Sequence, residues 1–146
     1  MTRLLSASAL LAISAACLRT PSATSLVFPA AQRTSCFGRP VRDTTIYDTT
    51  AVTEKPAIRR LELPYPTIAR DRGAGDSVVV SVIVNGDGSV EADSVSFLRH
   101  AGSNYATSFD SVALQAAGRA TFWPGCRGTE PARVRLAMPV VWFIKR

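Results

Sequence analysis

Three cysteines and one histidine are the side chains of this 146-residue chain best suited to covalent or acid-base chemistry. His100 is the sole histidine, so a serine or cysteine nucleophile would have to take it as its base. It follows Arg99 at the end of a strand-like stretch, where an exposed loop position is expected, and no second acid or base signature stands beside it. Neither a glycine-rich phosphate loop nor a His-Glu-x-x-His pair occurs. Asn85 and Asp87 share a loop, but the further acidic ligands and the distal Glu of a calcium loop are missing. No Cys-x-x-Cys or Cys/His cluster offers zinc its ligands. The chemistry-bearing residues therefore point away from catalysis, and they assign no catalytic residue, no metal and no cofactor.

The cysteines bear instead on compartment and covalent structure. Arg3 precedes an apolar run over residues 4–16, and Ser14, Ala15 and Ala16 stand directly before Cys17. That layout reads as a signal peptide over 1–16. The run is shorter than the roughly 18 to 20 apolar residues a spanning helix needs, so export is expected rather than a retained anchor. The tripeptide before Cys17 is similar to a lipobox, with Ser14 where Leu is usual, so Cys17 is a candidate for lipidation and simple cleavage stays open beside it. Cys36 and Cys126 remain as a candidate disulfide in an oxidising space, or as two unpaired thiols.

A pI near 9.9 and a formal charge of +6 raise nucleic-acid binding. The charges are scattered through Arg59 and Arg60, Arg70 and Arg72, Arg133 and Arg135, and Lys145 and Arg146, with no run that builds a patch. An exported protein also leaves cytosolic nucleic acid behind, so no nucleic-acid partner and no small-molecule substrate are inferred. Anionic headgroups or acidic protein segments suit the basic balance better.

Residues 17–53 are rich in Ser, Thr, Pro and Arg, with no apolar periodicity, and read as a flexible tether. Beyond it the signals strengthen. Pro66 can open a short helix through Ile68, Ala69 and Arg70, ended by Gly73 and Gly75. The β-branched run 77–84 predicts a central strand, and Asn85-Gly86-Asp87-Gly88 predicts a tight reversal into a second arm over 90–98. Thr107 and Asp110 suggest a capping box before Phe109, Val112, Ala113 and Ala116 at helical spacing, with Gly118 as the stop. Val134, Leu136, Met138, Val140 and Trp142 alternate in a closing strand over 134–143, which Pro139 assigns to a sheet edge or a bulge. Trp123, Trp142 and Tyr65 are expected as packing anchors. The order helix, strand, strand, helix, strand predicts an α+β two-layer sandwich, a three-stranded antiparallel sheet with two helices on one face.

Taken together, Tyr65-Pro66-x-x-Ala69, Gly75 before the Val78 strand, Asp87-Gly88-x-Val90, the helix with Asp110 and Ala113-Leu114, Phe122-x-Pro124, and Pro139-Val140 with Phe143 resemble the TonB C-terminal domain family over residues 54–146. The resemblance implies a periplasmic domain that pairs a sheet edge with an extended segment of an outer-membrane receptor. Carried onto this chain, the partner-binding surface would be the last strand, through Val134, Leu136, Ala137, Met138, Val140 and Val141, with Arg133 and Arg135 as flanking charges. Self-pairing at the same edge is the other partner it allows. Family transducers also carry an inner-membrane helix and a long Pro-rich spacer, neither recognisable here, so an exported stand-alone relative, adaptor or structural lipoprotein is expected. A short retained anchor over residues 4–18 is the alternative that would restore energy transduction.

Overall fold

Valine spacing builds the centre of the molecule. In a computed structural model that describes Ser25–Val27 and residues 33–144, strand β4 (Asp76–Val84) turns Val78, Val80, Val82 and Val84 to one face, all fully buried. The expected signal peptide and Cys17 lie outside the described residues. On one side β4 pairs antiparallel with β5 (Ser96–Arg99); on the other it pairs antiparallel with β8 (Glu130–Trp142), in register from Asp76 opposite Trp142 to Val84 opposite Val134. These three strands are the expected antiparallel sheet. Two helices, α1 (Thr67–Asp71) and α2 (Ala106–Arg119), bury Ala69 and Phe109, Ala113, Ala116 and Ala117 in the shared core. The fold is the α+β class the sequence predicts.

The alanines of α2 let its backbone approach the sheet, and Phe109 fills the space between, 4.9 Å from the ring of Trp142 and 6.1 Å from that of Tyr65. Trp142 Nε1 donates to the Pro64 carbonyl at 3.1 Å and the Tyr65 hydroxyl to the Ala74 carbonyl at 2.7 Å, so both polar tips are satisfied where the rings pack. Helix α1 ends where Gly73 takes a φ of +62° and the Ala74 N–H closes on the Ala69 carbonyl.

Three local expectations are corrected. Asp110 does not cap α2, which starts after Tyr105 without a side-chain cap; its carboxylate accepts the Ala101 N–H at 2.9 Å and contacts His100 Nδ1 at 2.7 Å, fastening the preceding loop instead. Gly118 sits inside the last turn, and extended backbone at Ala120 ends the helix. The arm after the hairpin is interrupted by a 3-10 turn over Ala92–Ser94. There the Ser94 hydroxyl donates to the Glu91 carbonyl and accepts the Ile83 N–H, taking the place of a backbone ladder.

Short strands surround this sheet. β3 (Ala57–Glu62) pairs antiparallel with β1 (Ser25–Val27) and β6 (Thr121–Trp123), bringing Leu61 and Phe122 into the core. β7 (Gly125–Arg127) forms a hairpin with the start of β8. β2 (Ile46–Asp48) lies parallel to β8, aligning Ile46, Tyr47 and Asp48 with Arg133, Val134 and Arg135. The tether reading therefore fails from Arg33 onward. Cys36 and Cys126 form a disulfide with both side chains fully buried, Phe37 meets Trp123 edge-on at 4.8 Å, and Ser35 bonds to Glu54. This Pro- and Ser-containing segment lacks apolar periodicity because a covalent bond and a few side-chain contacts hold it, not a continuous apolar face.

Candidate functional site

Sheet position and backbone direction decide what the last strand can bind. On β4, the Ile83 N–H goes to Ser94 Oγ and the Ile83 carbonyl accepts from Glu91, so both backbone groups of Ile83 face away from β8. Successive residues of a strand direct their backbone groups to opposite sides. Val84, Val82, Val80, Val78 and Asp76 therefore face β8, and their partners Val134, Leu136, Met138, Val140 and Trp142 face back. The odd-numbered residues of β8, Arg133 through Val141, direct their N–H and C=O groups to the strand's other edge.

That edge divides into two parts. Over Arg133–Arg135 it is occupied by β2. Beyond Arg135 no strand among the described residues pairs with it. The open part offers the N–H and C=O of Ala137, the C=O of Pro139, and the N–H and C=O of Val141. Pro139, opposite Val79, falls where its missing N–H costs the β4 ladder nothing, which is why proline is tolerated in so long a strand.

Side-chain placement sorts the residues singled out by sequence. Val134, Met138 and Val140 are buried in the core, so their side chains hold the strand in place and present nothing to a partner, whereas Leu136 is only partly buried against the core and keeps some surface. Ala137 and Val141 are exposed on the opposite face. Arg135 is exposed. Arg133 is engaged within the molecule: its guanidinium donates to the Thr44 carbonyl at 2.7 Å, to Asn85 Oδ1 at 3.3 Å and to Glu91 at 2.5 Å. Sequence reasoning missed β2 as the occupant of the upstream edge; the run Thr44-Thr45-Ile46-Tyr47 was its one β-prone signal.

Where β2 leaves the edge, Thr49, Lys55, Pro56, Leu136 and Ala137 line a shallow groove. At the far end of β8, Tyr65, Arg70, Gly73, Phe143 and Ile144 line another, with Phe143 81% exposed. The open edge runs between the two. The β2 segment is fixed by polar contacts as well: the Tyr47 hydroxyl donates to Asp43 at 2.5 Å and accepts from Arg127 at 2.9 Å. Hydrogen bonds from Tyr47 and from the Thr45 N–H, with Arg127 nearby, lower the Asp43 pKa from 3.8 to about 2.

The exposed His100 pairs with the part-buried Asp110 beside the Phe97 ring, and among the described residues no serine or cysteine is hydrogen-bonded to the imidazole. Among the described residues no three His, Cys, Asp or Glu side chains gather as a metal cluster, and no helix is long and apolar enough to cross a membrane. A family model described as Gram-negative bacterial TonB protein C-terminal matches residues 62–144, more than half of the chain. No curated protein matches the sequence.

Proposed function

This chain belongs to the TonB C-terminal domain family, and from that premise we propose that it is an exported, non-enzymatic envelope protein that binds an extended segment of a protein partner by strand addition. The family is a protein-interaction domain. The observation that carries the reading is the open edge of β8 beyond Arg135, where backbone groups of Ala137, Pro139 and Val141 face outward. Strand addition uses such groups for affinity and leaves side chains to select the sequence. The partner that fits family membership is a segment of an outer-membrane receptor in TonB-type transport. Two features support an oxidising envelope compartment: the signal-peptide layout before Cys17, which makes Cys17 either a lipid anchor or the residue after a simple cleavage, and the Cys36–Cys126 disulfide.

The test is in-cell photo-crosslinking from Ala137 and from Val141, with captured proteins identified by mass spectrometry. Capture of an outer-membrane receptor through a short extended segment is the expected result. Self-crosslinks alone, or no capture, would replace the transport reading with a structural one.

A further inference from the structure

We propose that the segment 33–53 is a built-in register stop that decides which part of β8 a partner strand can use. The inference rests on the strand-addition reading above and adds its specificity. β2 holds the edge from Arg133 to Arg135 as a strand of the chain's own, running parallel to β8. A partner adding to the same edge cannot pair there, so it is confined to Ala137, Pro139 and Val141 and must stop or turn away at the groove lined by Thr49, Lys55 and Pro56.

Several independent contacts keep the stop in place. The Cys36–Cys126 disulfide anchors its start, ninety residues apart in sequence. Arg33 and Arg59 lie over the Phe37 ring at 4.9 and 5.6 Å, and Arg59 also covers Trp123 at 4.7 Å. Further along, Val41 closes over Gly86, where an added Cβ would come within 2.6 Å of a Val41 methyl. The Asp43, Tyr47 and Arg127 contacts and the Arg133 bond to Thr44 then hold β2 against its edge. A partner strand would have to break this set to reach Arg133, whereas at Ala137 it displaces only solvent.

The shape of the accepted segment follows. It is short, spanning the few residues opposite Ala137 to Val141. Opposite Pro139 it meets an acceptor without a donor, so the partner residue there needs its own N–H but gains nothing from its carbonyl. A segment that relies on a long uninterrupted ladder is disfavoured, and selection shifts to side chains at its two ends, beside Lys55 and beside Phe143.

Residue-resolved amide hydrogen exchange on the full chain, combined with crosslinking along β8, tests the proposal. In the intact protein the Arg135 N–H exchanges slowly while those of Ala137 and Val141 exchange fast. In the Cys36→Ser/Cys126→Ser variant, or in Tyr47→Pro, which leaves the disulfide intact, Arg135 speeds up by about tenfold or more while Met138 and Val140, paired to β4, stay slow. Partner capture from the intact chain occurs at positions 137 and 141, and it extends to 133 once β2 is released. Arg135 exchanging as fast as Ala137 in the intact protein, or capture from Arg133 as efficient as from Ala137, overturns the stop and leaves strand addition standing. No capture from any position overturns strand addition itself, even with β2 seen docked by exchange.

Discussion

At the residue scale, the contacts that matter most are those in which a polar tip is satisfied at the edge of an apolar cluster. Phe109 is fully buried between Trp142 and Tyr65, so Phe109→Ala should lower stability by about 3 to 5 kcal/mol, read from denaturant unfolding. A loss under about 1 kcal/mol would place the core elsewhere. Asp43 makes a pH-dependent contribution: its folded pKa lies below its ordinary value of 3.8, so the stabilisation is complete above that value and disappears as pH falls through about 2. An NMR titration of its carboxyl carbon should show a midpoint near 2, and Tyr47→Phe should move it back toward 3.8. Several residue roles were legible in the sequence, including Trp142 and Tyr65 as anchors and His100 as an exposed loop residue. The Asp110 role was not, because a Thr-x-x-Asp spacing cannot distinguish a cap from a carboxylate drawn away by a loop N–H that only the tertiary fold brings near.

Among the elements, long periodic signals carried and short ones did not. β4, α2 and the alternation along β8 follow from spacing alone, since each has a buried face long enough to set a period. β2, β6 and β7 have three residues each, too few to show alternation, and they exist because neighbours supply their hydrogen bonds. The hairpin after β4 was legible through its glycines, and Gly88 shows why. Its φ is +89°, and a Cβ there would lie 2.0 Å from the Phe122 carbonyl oxygen, itself beside the backbone bond from the Phe122 N–H to Gly88. Gly88→Ala should cost at least about 2 kcal/mol, and a melting temperature unchanged from the parent would contradict the tight approach. Pro139 was read correctly as an edge residue. The candidate site was legible as an element but not in detail: which backbone groups face outward depends on the register between β4 and β8, which no single strand's sequence specifies.

For the whole molecule, the domain begins well before the periodic signals do. Segment 33–53 reads as a tether because its composition is polar and turn-rich, yet it is bound by a buried disulfide that closes a loop of ninety residues. The chain-entropy model gives such a crosslink about 4 to 5 kcal/mol, so reduction or Cys36→Ser/Cys126→Ser should lower unfolding stability by that order, with the core sheet still formed. The same segment covers the upstream edge of β8 and leaves the downstream edge open, so fold stability and binding geometry are linked through it. The central claim is that the outward N–H groups of this edge bind a partner. Val141→Pro removes one of them without touching the β4 ladder, and it can be compared with the parent in partner capture from a crosslinker at Phe143, outside the strand, with the melting temperature as a control for folding. Capture reduced by about tenfold or more at an unchanged melting temperature is the predicted result; capture equal to the parent would contradict strand addition at β8.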